Sequence, residues 1–185
     1  MTVDWGHEAI EQLAWHWKDH VRPRLDGLSD DEYFWEPMPG CWSIRPRGRA
    51  TTSMAAGGGD LVADWEYPEP VPPPVTTIAW RIGHVLVGVF GSRNAAHFGG
   101  PPVDYQTYDW PADAATALGR LDTEYAKWMD GVTGLGDEGL SRPVGPAEGM
   151  WAEYPYASLV LHINREAIHH AAEILLLRDL YRHRT

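Results

Sequence analysis

The stretch from Pro155 to about Arg182 constrains the fold more than any other part of the chain. Leu159, Ile163, Glu166, His170, Ile174 and Leu177 recur there at steps of three and four residues, the signature of one helix face turned toward a core. Pro155 suits a first helical position. Three earlier stretches repeat the pattern. From about Asp4 to Leu28 it is carried by Ile10, Leu13, Trp17, Val21 and Leu25, with Pro23 expected to kink the last turns. From Thr76 or Thr77 to about His97 it is carried by Ile78, Ile82, Val85 and Val89, and the Gly99–Pro102 run closes it. From about Asp113 to Val132 it is carried by Ala114, Leu118, Leu121, Tyr125 and Trp128. Four amphipathic helices with little strand signal predict an all-α four-helix bundle.

The connections are unequal. Ser29 followed by Asp30, Asp31 and Glu32 reads as a cap with an acidic first turn, starting a short helix that stops before Pro37. From Pro37 to Val75 the chain is irregular and rich in Pro and Gly, with at most a short strand near Leu61 to Tyr67. A connection that long between the first and second main helices is either functional or partly disordered. A second loop is expected from Ser141 to Tyr154.

At 185 residues the chain can bury one complete core and is short for two, so residues 1–185 are expected to form a single domain. No window approaches the ~18 consecutive apolar residues of a membrane span, and the N-terminus has no signal-peptide pattern. Cys41 is the only cysteine, which excludes an internal disulfide framework and a cysteine-built zinc cage. These features predict a cytoplasmic protein. With 26 acidic against 15 basic residues, the formal net charge is −11. That field disfavours nucleic acid as a partner, and the one dense basic stretch, Arg45 to Arg49, reads as a solvated loop.

Two polar residues interrupt the seam of the last helix, Glu166 and His170, one turn apart. Burying a carboxylate and an imidazole costs several kcal/mol unless they are paired or hold a cation. Glu-x-x-x-His sets both on one face, close enough to share an ion. His84, amid Ile82, Val85 and Leu86 on the second main helix, is the candidate third ligand, and Gly83 and Gly88 beside it allow a close approach by a neighbour. A structural reading stands beside this one: a lone His in an apolar helix is commonly a satisfied core residue, and Glu-x-x-x-His is a common surface ion pair. His162, Glu166 and His169 form a rival stripe. His16 and His20 also have metal-ligand spacing, but they flank the Leu13–Trp17–Val21 seam and are expected at a pocket rim or in solvent. Trp80, Trp151 and Tyr154 are candidate pocket walls, and Arg81 and Arg165 adjoin the proposed ligands. His7 and His97 have no evident partner, and Cys41 reads as buried and structural. Phosphate-binding, dinucleotide and serine-hydrolase motifs are missing from the sequence.

The sequence resembles the DinB-like superfamily of four-helix bundles, which includes thiol-dependent S-transferases and maleylpyruvate isomerases. The resemblance covers most of the chain. It rests on the opening amphipathic helix, Leu28-Ser-Asp-Asp-Glu-Tyr-Phe-Trp35, Gly40-Cys-Trp-Ser43, Arg81-Ile-Gly-His84 and Leu161-His-Ile-Asn-Arg-Glu-Ala-Ile-His-His170. It implies a zinc or nickel site built from His84, Glu166 and His170. Many members have His where this chain has Glu166; the Glu-x-x-x-His form is similar to the isomerase branch. The function implied is a divalent-metal-dependent S-transferase or isomerase that uses a low-molecular-weight thiol, such as mycothiol, on small electrophiles. His16, Trp80, Arg81, His162 and His169 are the residues expected around its pocket, and a homodimer is compatible with the family. The alternatives are a metal-dependent hydrolase and a non-catalytic metal- or ligand-binding bundle.

Overall fold

The computed structural model describes residues 4–184. Helix α1 runs Trp5–His16 and continues through a π-helical stretch, Trp17–Val21, into a last turn, Arg22–Leu25. A single turn, α2, spans Asp30–Tyr33. Helix α3 joins Ile78–His84, π-helical Val85–Gly91 and Ser92–His97. Helices α4 (Ala114–Ser141) and α5 (Tyr156–Arg182) complete the bundle. Four of the five starts are fixed by side chains that accept orphan backbone N–H groups: Asp4 from His7, Ser29 from Glu32, Thr77 from Trp80 and Asp113 from Thr116.

Several boundaries differ from expectation. Helix α1 ends at Leu25 rather than Leu28, and its ladder shifts to π-helical bonding just ahead of Pro23. Helix α2, by contrast, stops before Pro37 as expected, at Tyr33. Helix α4 passes Val132 and resumes beyond Gly136, whose φ of 58° lies outside helical space, because Val132 and Leu140 still have core to pack against. Pro155 caps α5 from outside, with extended backbone, instead of occupying its first turn.

Side-chain contacts give the helix directions. Ala9 meets Asn164 and Arg24 meets Asp179, so α1 and α5 are parallel. Arg81 meets Glu173 and His84 meets His170, so α3 is antiparallel to α5. Arg22 meets Asp122 while Gly6 lies against Asp137, so α4 is antiparallel to α1. Asn94 meets Glu124 and Gly131 lies against Phe98, so α3 and α4 are parallel. The order is therefore up, down, down, up. Consecutive parallel helices require a connection that returns the length of the bundle. Residues 98–113 do this, running back along α3: Val103 lies against Gly91, Tyr105 against Gly88 and Trp110 against Gly83.

The core is one cluster shared by all four helices, with Trp17 stacked on Tyr125 and Trp128 beside Phe90. The Trp128 indole donates to Asn164 Oδ1 (3.1 Å) and the Asn164 amide donates to the Ala9 carbonyl (2.7 Å), so the Trp128 and Asn164 side chains are both satisfied inside it.

Residues 37–75 are irregular but anchored. Strand β1 (Ile44–Pro46) pairs antiparallel with β2 (Leu61–Ala63), Ile44 opposite Ala63. Beside them Asp64 is fully buried and accepts from Ser43 N–H, Thr51 N–H and Arg45 Nε. The Trp80 indole donates to the Asp64 carbonyl (2.8 Å), tying the loop to α3 one turn before His84. Cys41 is buried, as expected, and its thiol donates to the Met38 carbonyl. Among the described residues, no helix is long and apolar enough to cross a membrane.

Candidate metal centre

The antiparallel contact of α3 and α5 brings His84 and His170 together, their ring centroids 4.7 Å apart and nearly perpendicular. His84 closes the α-helical part of α3, directly before the π-helical stretch, a local irregularity frequent at functional sites. Each imidazole is held through Nδ1. His84 Nδ1 lies 2.7 Å from the Tyr105 hydroxyl, and His170 Nδ1 lies 2.7 Å from Glu173 Oε2. Glu173 is in turn met by Arg81 Nε at 3.0 Å. Among the described residues neither Nε2 has a hydrogen bond, and Glu166 Oε2 stands 3.7 Å from His170 Nε2.

Burial sets the protonation states. It pushes His84 down to about 4, helped by His170 and Arg81, so this imidazole is neutral at neutral pH. Burial also lowers His170, although the Glu173 hydrogen bond works against it. Burial pulls the Glu166 carboxyl up, but a hydrogen bond from Arg165 and the charges of His162, His170 and Arg165 outweigh it and hold the group below its ordinary value. Neutral imidazoles beside a carboxylate are the protonation states that ligate a divalent cation.

The remaining predicted residues divide by place. Trp80 stacks on His84 (5.6 Å, 11° between planes), and Trp65 lies parallel to Trp80, so an aromatic wall flanks one side. Arg81 is mostly buried against Glu173 rather than paired in solvent. His162 and Arg165 flank Glu166, with His162 Nδ1 3.6 Å and Arg165 Nη2 3.2 Å from its Oε1. His16 is not brought to this group: its ring packs near His20, and its Nε2 is buried with no hydrogen-bond partner among the described residues. His97 does have partners, contrary to expectation: Tyr156 at Nδ1 and Glu148 at Nε2, both at 2.9 Å.

His169, with His170 and Glu173, forms a group that can hold a metal ion, their donor atoms all within 4.8 Å. Glu173 and Tyr105 were missed by sequence reasoning. Glu173 carried a signal, since it lies three residues beyond His170 on the same helix face. Tyr105 carried none, because only the return path of residues 98–113 places it there.

The sequence model of the DinB superfamily matches residues 12–174. The chain belongs to the DinB superfamily. Its match takes in all of α3 and α4 and runs from within α1 to Ile174 of α5, so the whole group of His84, Glu166, His170 and Glu173 falls inside it. No curated protein and no solved structure matches the chain.

Proposed function

We propose that this DinB-superfamily chain is a divalent-metal-dependent enzyme, an S-transferase or isomerase that pairs a low-molecular-weight thiol with a small electrophile. His84, Glu166 and His170 would hold the ion. The observation that carries this reading is the pairing of each imidazole's Nδ1 with a fixed partner, which leaves both Nε2 atoms without a hydrogen bond among the described residues, that of His170 3.7 Å from Glu166. A carboxylate or hydroxyl behind a histidine fixes its tautomer and ring orientation in metal sites. Two ligands of one tetrahedral zinc ion stand roughly 3.3 Å apart, given bond lengths of about 2.0 Å. The 3.7 Å from His170 Nε2 to Glu166 Oε2 suits co-ligands, whereas the 2.7 Å from His170 Nδ1 to Glu173 is a hydrogen bond. This favours Glu166 as ligand and Glu173 as the group behind His170.

Two imidazoles and one carboxylate suit zinc or nickel and leave a coordination position open. When bound, the ion would supply the positive charge that favours the thiolate form of a coordinating thiol. The chain's own residues do the rest. Tyr105 and Glu173 orient the two imidazoles, Arg81 fixes Glu173, and Trp65 and Trp80 cover one side of the group against water.

The test is metal content by plasma mass spectrometry on protein purified without an affinity tag. Near-stoichiometric metal in the wild type, lost in His84→Ala, Glu166→Ala and His170→Ala but kept in His169→Ala, is the expected result. A wild type that is metal-free and refuses added zinc and nickel refutes it. Consumption of mycothiol with a small electrophile by the loaded protein then separates the transferase or isomerase from a hydrolase or a binding protein.

A further inference from the structure

A second feature lies one helical turn from Glu166. The groove between α3 and α5 widens into a cavity of about 390 Å³, closed by the loop of residues 142–155. That volume falls in the range of small-molecule sites. Its decisive lining residues are Arg93, Glu148, Trp151, Tyr154, His162 and Arg165.

The loop is held as a wall. Val144 N–H donates to the Tyr154 carbonyl and Gly145 N–H to the Ala152 carbonyl, with Gly145 (φ 90°) and Gly149 (φ 56°) supplying turns that other residues rarely adopt. Glu148 latches it to α3, one carboxylate oxygen 2.9 Å from His97 Nε2 and the other 3.2 Å from Arg93 Nη2. Trp151 and Tyr154 are therefore presented rather than buried. Their rings meet edge to face at 5.2 Å, and each residue stays about half exposed (51% and 50%). Two large rings left open to a preformed cavity complement a flat apolar body.

The polar side is cationic, in a chain whose net charge is −11. Arg93 is consumed by Glu148, the Gly88 carbonyl and Ser92, and Glu148 is shared with His97. Arg165 differs. Its Nε and Nη2 reach Glu166 and its Nη2 also reaches His162, but Nη1 has no hydrogen bond among the described residues. A guanidinium offers a planar fork suited to a carboxylate. Here the fork is partly occupied by Glu166, and anything that takes or neutralises the Glu166 carboxylate releases it.

We infer that this cavity binds a small aromatic carboxylate, its ring against Trp151 and Tyr154 and its anionic end on Arg165. The inference adds a substrate class to the metal-dependent reading and rests on it only in part. Arg165 couples the two places, since a cation on Glu166 would free the guanidinium for the incoming anion.

The test is calorimetric titration of the full chain, stripped of metal, with benzoate and with benzamide. Benzoate should bind saturably and benzamide about tenfold more weakly, as for the loss of one charge-assisted contact. Arg165→Gln should erase that difference, and Trp151→Ala should weaken both ligands. Both side chains are at least half exposed, so neither change threatens the fold. Glu166→Gln should tighten benzoate, because it frees Arg165. Absence of saturable benzoate binding in both wild type and Glu166→Gln overturns the inference, as does equal binding of benzamide. Metal content measured on the same samples keeps the outcomes apart. A chain that binds benzoate but no metal retains the cavity and loses the metalloenzyme reading; a chain that binds metal but no benzoate does the reverse.

Discussion

Arg178 and Glu32 are both almost completely buried, and they meet at 2.8 Å across the seam between α5 and the start of α2. The guanidinium also donates to the carbonyls of Arg24 and Asp26, so one side chain closes the end of α1 and the turn after it. Removing Arg178 leaves the buried Glu32 carboxylate only the half-exposed Arg182 guanidinium, 3.5 Å away. Arg178→Met should therefore destabilise the chain by about 3–5 kcal/mol, read from the midpoint of urea unfolding. At the candidate metal centre the equivalent positions are the groups behind the proposed ligands. Glu173→Gln and Tyr105→Phe each leave the three proposed ligands intact but loosen one imidazole. Each should lower zinc affinity about 10- to 100-fold in a chelator competition, with the helical circular dichroism unchanged. The proposed ligands themselves were legible in the sequence, because Glu166 and His170 break an otherwise apolar helix face and such a break is local information. The partners were less legible. Glu32 and Arg178 lie far apart in sequence, and nothing around either one reports the other.

Elements were legible where their signals are local. Asp4, Ser29, Thr77 and Asp113 cap helices because a short polar side chain at that position can reach back to a free N–H within the same turn. The π-helical stretches and the parallel course of α3 and α4 depend on packing instead, and periodicity alone does not encode them. One clue was available: the connection after His97 is longer than the few residues that join antiparallel neighbours in bundles. Its path explains Gly88. A Cβ there would stand 2.3 Å from the Tyr105 hydroxyl oxygen and 3.1 Å from the His84 ring, so only glycine lets the returning segment touch the imidazole. Gly83 and Gly88 were expected to admit a neighbouring helix or a ligand; they admit the side chains of Trp110 and Tyr105. Gly88→Ala should push Tyr105 off His84 and lower zinc affinity by a factor comparable to Tyr105→Phe, about 10- to 100-fold. Helicity should be kept, since alanine favours a helix interior. Unchanged affinity would show that Tyr105 does not orient His84.

At the scale of the molecule, the parallel course of α3 and α4 forces one long connection, and both it and the long segment ahead of α3 pack on α3. Residues 98–113 bring Tyr105 to His84, and residues 37–75 bring Trp65 to Trp80. The candidate metal centre is thus walled by segments whose sequences carry no helical period, and of the two readings open for the Pro/Gly-rich stretch, functional or partly disordered, its packing beside the candidate site favours the first. Its order hangs on Asp64. That carboxylate has no exposure and satisfies two backbone N–H groups and Arg45, while the same residue's carbonyl holds the Trp80 indole. In Asp64→Ala those donors lose their acceptor inside a low-dielectric layer, and Arg45 keeps only Glu36 and the Cys41 carbonyl. The cost, about 3–5 kcal/mol for breaking a buried charged network, should fall on the loop first, because the four helices retain their mutual contacts and local opening needs less free energy than global unfolding. Limited trypsin digestion should then cut after Arg47 or Arg49 well before the helical signal melts, and the wild type should resist under the same conditions. Cleavage only in step with helix melting would mean instead that the loop and the bundle unfold as one unit. The walls of the site would then be as stable as its ligands.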